Sequence, residues 1–456
     1  MTKPSVAADL EALVSSLLER VRKAVGGGIE AEVYAERYED RSVELRGGEL
    51  HGVEESRSEG LGLRLLKDGR TAFASRGGLD AEDVDAWAKD VARTLDFLDR
   101  EESRVFAQPG QAVGPAALPA SLWDDSLFTK PWEEAAEALR SMEAAAREDE
   151  PAAAKILRSG YGEMRGEAAL ANTLGVLVSE RDGSASAGLS VLASRDGDVQ
   201  VGSASFYARH RGDIDFDRLA ADAAFRAAAL LGARKLPSGR RDVLLDPWVA
   251  GEFLGLVSEL LAADNVQKGK SLLAGKLGSR AASRAVTLID DPLRLAGLAS
   301  SLFDGEGCPC RTKTMIEDGV LKDYFYDAQT ARKDGKESNG SAGRSSYKSL
   351  PGPSASNFYL APGKASRDEI IAGTSKGILV LDVMGMHMAD TVSGEFSIGV
   401  SGLAIEGGKI GQPVQEAMIA GNLRELLDGI DAVASDLTFY GSLGAPTFRI
   451  AGLSVA

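Results

Sequence analysis

The chain has 456 residues, a formal net charge of -16, 44% hydrophobic residues and 26% charged residues. That length allows two or three domains with substantial cores, and the acidic balance argues against non-specific nucleic-acid binding, which needs a basic surface. With 52 glycines and only 6% aromatic residues, the composition fits a sheet-rich chain with many tight turns.

Residues Met1 to Leu10 contain no apolar signal core, and no uncharged apolar run is long enough to span a bilayer. From Leu10, the positions Leu13, Val14, Leu17, Val21 and Val25 follow the helical period, and Gly26-Gly27-Gly28 ends the helix. Alternating strands come next. Ala31, Val33 and Ala35 share one face, with Glu30, Glu32 and Glu36 on the other. Val43 and Leu45 repeat the pattern before the hairpin signal Gly47-Gly48. Leu61, Leu63 and Leu65 mark a further strand, which Lys67-Asp68-Gly69-Arg70 turns back. The pattern predicts a second helix from Leu79, capped by Asp80 and burying Val84, Trp87, Ala88, Val91 and Leu95.

Gln108 to Pro119 reads as a linker, and a helix follows from about Trp132 to Glu148 with Pro131 at its start. A glycine-punctuated meander then runs from Ile156 to Arg209, with turn signals at Asp182-Gly183 and Asp196-Gly197-Asp198. Leu219 to Leu231 is predicted helical and closed by Gly232. At the centre of the chain a short strand, Val243 to Leu245, meets Asp246-Pro247. Phe253, Leu256, Val257, Leu260 and Leu261 then form one apolar helical stripe.

Beyond that helix the sequence is largely β. Thr314 to Tyr324 reads as strand, turn, strand, and Asn339 to Pro353 as a loop of small residues. Gly377 to Asp382 is a buried strand, Ser401 to Lys409 a strand-turn unit, and Leu423 to Val433 a helix. The expected class is α+β. A helix and antiparallel-sheet part (1–107), completed by 108–240, precedes a largely antiparallel β C-terminal domain (241–456).

Residues that could carry chemistry are few. A zinc hydrolase needs protein ligands around an open position and a base for the bound water. The chain has only His51, His210 and His387, each followed three residues later by an acid: Glu54, Asp213 and Asp390. On a strand, His51 and Glu54 point to opposite faces. His210 lies in a polar turn, and His387 in a loop after a buried strand, which makes it the best residual candidate. Cys308 and Cys310, separated by Pro309, are too close for an unstrained bridge, so a reducing cytoplasm is the natural compartment. On an extended chain both thiols share a face, where they could hold a soft metal or simply pack as small residues. Gly373 to Gly377 satisfies G-x-S-x-G, but a strand follows the motif where a nucleophile elbow needs a helix. Gly269-Lys270-Ser271 lacks the upstream glycine of a phosphate loop, because Asp264 stands there.

In order and spacing, several stretches resemble the TldD/PmbA family of bacterial and archaeal proteases. They include Ser42-Val-Glu-Leu-Arg-Gly-Gly-Glu-Leu50, Phe303-Asp-Gly-Glu-Gly307 and Gly340-Ser-Ala-Gly343. Asn357-Phe-Tyr-Leu-Ala-Pro-Gly363 and Ser393-Gly-Glu-Phe-Ser397 continue the match. In the TldD half of that family the central helix carries His-Glu-x-x-x-His and binds zinc. The matching places here hold Leu254, Gly255 and Glu259, and a further cysteine ligand is matched by Ser442. The resemblance therefore implies a PmbA/TldE-type subunit without catalytic or metal-binding residues. It also implies a TldD-like heterodimer partner holding the zinc, and unfolded or precursor peptides as substrate. A homodimer is possible in isolation, and neither nucleic acid nor membrane is expected as a partner. Glu259 and Asp264 read as helix-flank charge. Two alternatives stay open: a stand-alone hydrolase using His387, Glu259 or Cys308, and a non-enzymatic homodimeric peptide-binding or regulatory protein.

Overall fold

The computed structural model describes residues 10–150 and 155–456. The segment 1–9, read above for a signal core, lies outside the described residues. Helix α1 (Leu10–Val25) leads into the long hairpin β1 (Glu30–Arg46) and β2 (Glu49–Lys67). Gly47 and Gly48 both take positive φ at its tip, as a tight hairpin requires. Strand β3 (Arg70–Gly77), helix α2 (Val84–Thr94), the short α3 (Leu118–Ser121) and α4 (Trp132–Asp149) follow. Strands β4 (Lys155–Asn172), β5 (Leu177–Arg195) and β6 (Asp198–Ala208) then lead to α5 (Phe216–Ala228). All six strands form one antiparallel sheet in the order β3-β2-β1-β4-β5-β6.

The alternation in β1 decides what lies on each face of this sheet. Val33, Ala35 and their neighbours pack under α1 and α2, and Val43, Leu45 and Val191 under α4 and α5. The opposite face carries Glu32, Tyr34, Glu36 and Tyr38, and it is not left to solvent. Glu32 and Glu36 are buried against the C-terminal half.

That half contains β7 (Gly239–Leu245), α6 (Pro247–Leu261), α7 (Ala263–Gln267), β8 (Leu288–Asp290), β9 (Lys313–Glu317) and β10 (Val320–Leu321). Next come α8 (Ala328–Lys333), the short pair β11 (Ala342–Gly343) and β12 (Gly352–Pro353), β13 (Phe358–Leu360) and α9 (Arg367–Ala372). The last run is β14 (Lys376–Met384), β15 (Glu395–Glu406), β16 (Lys409–Asn422), α10 (Leu423–Gly429) and β17 (Ile430–Val433). It ends in β18 (Thr438–Tyr440), β19 (Leu443–Ala445) and β20 (Phe448–Val455).

One sheet runs β16-β15-β14-β7-β20-β17, and pairing of Ile419 with Val455 joins β16 to β20 and closes it into a barrel. Closure leaves fewer unpaired edges for stray association. The other sheet runs β10-β9-β8-β13-β19-β18. Two pairings, β7 with β14 and β13 with β19, are parallel; the rest of both sheets is antiparallel. Helix α6 contacts strands of both sheets, and Phe253 meets the barrel residue Phe396 edge-on at 5.7 Å.

Four local readings need correction. Asp182-Gly183 is not a turn, since Gly183 pairs with Arg165 in mid-strand. The chain turns at Thr173 to Gly175, where the Asn172 carboxamide oxygen accepts from the Leu174 and Val176 N–H groups. Helix α2 begins at Val84, because Asp80 spends its side chain on the Glu82 N–H instead. Helix α5 starts three residues before Leu219, with Asp215 accepting from the Arg218 N–H as its cap, and it ends at Ala228. The helix from Leu423 stops at Gly429, because Ile430 to Val433 pair with β20. No helix among the described residues is long and apolar enough to cross a membrane.

Candidate functional site

Helix α6 starts where the sequence placed it. Pro247 occupies its first turn, and the Asp246 carboxylate accepts from the Trp248 N–H at 3.1 Å. The same carboxylate oxygen accepts from Arg226 Nη2 of α5 at 2.7 Å, while Arg226 Nη1 donates to the Leu381 carbonyl of β14 at 2.8 Å. One guanidinium therefore fixes α6 to both halves of the molecule. Its other end stops at Ala262, and the Glu259 carbonyl accepts from the Ala262 N–H and the Asn265 carboxamide.

Leu254 is buried in the core cluster of the C-terminal half. Gly255 is half-buried, and a β-carbon built there would meet only Leu443 Cδ1, at 3.5 Å. Glu259 is exposed. Leu443 follows Ser442 in the β18–β19 hairpin, which β13 holds through a bond from the Phe358 N–H to the Ser442 carbonyl. At the tip of the same hairpin Tyr440 meets Trp248 of α6 edge-on, with ring centroids 4.9 Å apart.

The fold thus brings α6 and the hairpin together, with Leu443 lying within van der Waals reach of the place a β-carbon would take on Gly255. It does not bring metal donors together. Leucine and glycine offer no side-chain lone pair, and Glu259 and Ser442 do not make a zinc set. Among the described residues, no group of three or more His, Cys, Asp or Glu side chains is placed to hold a metal ion. The residues present do not fit a catalytic zinc.

The other candidates are scattered. His387 is exposed in a single 3-10 turn, Met386–Met388, entered through Gly385 at φ 85°. Asp390 does not serve it, because that carboxylate accepts from the Val392 N–H and the Ser393 hydroxyl. His51 is exposed in β2, and His210 precedes the turn Arg211–Asp213. Cys308 and Cys310 are free and buried. Cys308 packs with Ala107, Leu170 and Val176 from the N-terminal sheet region, while Cys310 Sγ lies 3.7 Å from the Gly340 carbonyl. Burial pushes both thiols well above the usual cysteine range, with Asp304 adding to the effect. A nucleophilic or redox thiol needs the opposite shift.

Sequence reasoning passed over two features. Arg226 gave no local signal, because its partners Asp246 and Leu381 lie far along the chain. The second is an apolar row on the outer face of the barrel. Met384, Gly399 and Met418 stand directly opposite one another on β14, β15 and β16, and both methionines are exposed. Ile398 and Val400, flanking Gly399, point inward, and that alternation was the available signal.

Comparison with known proteins agrees across almost the whole chain. The family model described as PmbA/TldA metallopeptidase domain 1 matches residues 31–96. The corresponding central domain matches 125–231, and the C-terminal domain 238–456. Metalloprotease PmbA of Escherichia coli O157:H7 is 27% identical, with 97% of this chain and 96% of that protein covered. A metalloprotease TldD homolog of Haemophilus influenzae is also 27% identical, with 89% and 85% covered. Overall identity is therefore the same toward both names, and the site residues have to separate them. Among solved structures, a Thermotoga maritima protein described as a candidate modulator of a DNA gyrase superposes with a TM-score of 0.88. It is 26% identical, and the match covers 98% of this chain and 100% of that one.

Proposed function

The chain belongs to the PmbA/TldD metallopeptidase family, and from that premise we propose that it is the zinc-free subunit of a two-chain peptidase, working with a TldD-like partner that carries the metal. The observation that carries this reading is α6. The helix is capped, buried and clamped by Arg226, yet Leu254, Gly255 and Glu259 occupy the motif positions and Ser442 the place of the further ligand. A scaffold kept without its donors fits a chain that shapes a chamber rather than one that activates water.

The substrate in this reading is an unfolded or precursor peptide, held in extended form by main-chain pairing, which does not depend on its sequence. The exposed row of Met384 and Met418 is a surface of the kind that meets a partner chain, since thioether side chains adapt to irregular contacts. Two unpaired thiols favour a reducing, cytoplasmic setting.

The test is peptide hydrolysis and bound zinc for the purified chain, with and without the TldD-like protein of the same organism. Activity and stoichiometric zinc are expected only in the mixture. Chelator-sensitive hydrolysis by this chain alone would overturn the reading and make His387, Glu259 and Cys308 the first residues to substitute.

A further inference from the structure

A cavity of about 260 Å³ opens beside the first turn of α6, between it, α5 and the strands β6 and β18. Pockets that take whole small molecules run from ~300 Å³ upward, so this one is sized for a single side chain rather than a cofactor. Phe206 of β6, Leu219 of α5, Trp248 of α6 and Tyr440 of β18 give it an apolar wall.

The charged groups that border it do not ask for a charged ligand. Arg226 is spent on Asp246 and the Leu381 carbonyl, and Asp215 caps α5. Arg218 and Asp222 lie 3.6 Å apart, and with side chains 63% and 47% exposed they face water. Asp213 is exposed as well, which leaves the mouth acidic. What lies deep is apolar. Leu219 is buried, while Phe206 packs on the core of the N-terminal half and Trp248 on that of the C-terminal half.

Two hydrogen-bond donors are left over. The Trp248 indole N–H and the Tyr440 hydroxyl bond no acceptor among the described residues, and neither atom is shut off from solvent. Burial nevertheless pushes the Tyr440 hydroxyl above the usual tyrosine range. Both are neutral donors, suited to carbonyl oxygens, and an extended peptide offers one carbonyl per residue. The strands that border the cavity fit the same ligand. β6 and β18 are each the outermost strand of their sheet, with one side unpaired. A peptide laid along such an edge sends alternate side chains into whatever pocket lies beside it.

We propose that this cavity is a side-chain subsite that takes one large apolar residue, leucine or phenylalanine, of an extended peptide whose carbonyls accept from Trp248 and Tyr440. The inference rests on the reading of the substrate as a peptide. It adds a preference that main-chain pairing alone cannot supply.

Binding to the full chain is measured by calorimetry with blocked pentapeptides, acetyl-Ala-Ala-Xaa-Ala-Ala-amide, in which Xaa is Phe, Leu, Ala, Lys or Glu. EDTA is present throughout, so that binding is read without hydrolysis. Burying a leucine or phenylalanine side chain is worth about a tenfold gain, so the Phe or Leu peptide should bind at least that much tighter than the Ala peptide. The Lys and Glu peptides should bind no better than the Ala peptide. Phe206→Ala should shrink the preference for Phe over Ala severalfold. Tyr440→Phe removes a hydroxyl that bonds nothing in the chain, and it should weaken every peptide of the series alike. Thr438→Trp, which adds bulk to the cavity wall, should abolish the preference, and it keeps the test open if Phe206→Ala folds poorly. Equal binding across the series, tightest binding of the Lys peptide, no binding at all, or a preference unchanged in Thr438→Trp would overturn the proposal. A flat series would leave the zinc-free reading of α6 standing, whereas chelator-sensitive hydrolysis by this chain alone would sink that reading and leave the subsite.

Discussion

Arg344 of the C-terminal half donates to Glu32 of β1 at 2.7 Å, joining residues 312 positions apart in the chain. Glu32 accepts on its other oxygen from Arg64 at 2.6 Å, and Arg64 reaches on to Glu306 at 3.0 Å. Two carboxylates and two guanidiniums thus meet in a buried interface, with the Arg344 side chain 2% and that of Glu32 1% exposed. Although burial opposes ionisation of Glu32, Arg64 and Arg344 together hold its carboxyl below the usual range. Glu32→Gln would leave two buried guanidiniums short of a counter-charge. Losing one partner of such a pair costs ~3–5 kcal/mol. Urea unfolding should show a loss of unfolding free energy of that size, and a loss below ~1 kcal/mol, the value of an exposed pair, would contradict this account.

The glycines of β2 are a matched pair with different tolerances. A β-carbon on Gly60 would lie 2.3 Å from Tyr347 Cε2, whereas one on Gly62 would lie 2.9 Å from the Tyr347 carbonyl oxygen. The first obstacle is a removable ring and the second is backbone. Gly60→Ala should therefore destabilise the wild type, but cost at least ~1 kcal/mol less in a Tyr347→Ala background. Gly62→Ala should cost the same in both backgrounds. A double-mutant cycle by chemical denaturation reads both numbers, and equal rescue of the two glycines would refute the contact geometry.

Leu254→His tests whether one motif residue can be put back. Leu254 sits in the core, so the imidazole would lose packing and bury polar nitrogens. A cost of about 2–4 kcal/mol is expected. No stoichiometric zinc should follow, because Gly255, Glu259 and Ser442 supply no companion set. Zinc analysis of the dialysed variant decides it: one tightly held ion per chain would mean that donors elsewhere complete a site.

Most of the fold was legible because its strongest signals are local. The stripe in α1, the Gly47-Gly48 hairpin and the Asp246-Pro247 start of α6 each need only neighbouring residues. The errors were also local signals, but tertiary pairing overrode them. Asp182-Gly183 looks like a turn, yet Gly183 is small because a β-carbon there would lie 2.6 Å from Leu127 Cδ1. The acidic stripe Glu32 and Glu36 resembles a solvent face, and only the arrival of Arg344 and Tyr347 from the C-terminal half explains why it is buried. The pairing of Arg344 with Glu32 could not be read at all, since the two lie 312 positions apart and share no motif.

Cys308 and Cys310 should be inert in the native protein. Both are buried and held in the thiol form by their surroundings. Reaction with Ellman's reagent at pH 8 is expected only as fast as local or global opening allows, with two equivalents released after denaturation. Rapid labelling of either thiol under native conditions would show a breathing interface between Cys308 and its neighbours Leu170 and Val176.

The buried carboxyls also set the direction of the pH dependence. Burial raises Glu180 and Glu306 to about 7 and Asp304 to about 6. The groups facing Glu180 do not reverse this: Ser301, the Leu302 N–H and Arg209 lower it, but Asp182 adds to the rise. In the unfolded chain these carboxyls titrate near ~4, so between pH 4 and 7 the folded state holds more protons. Stability from these groups is therefore fully present below the unfolded values and is lost as pH rises through 6 to 7. Glu32, whose carboxyl is lowered, acts with the opposite sign but only below its ordinary range. The thermal midpoint should consequently be lower at pH 8 than at pH 5.5, and Glu180→Gln, which cannot ionise, should shrink that difference. A midpoint that rises across this interval would mean that these carboxyls are solvated in the native state and that the two halves do not bury them.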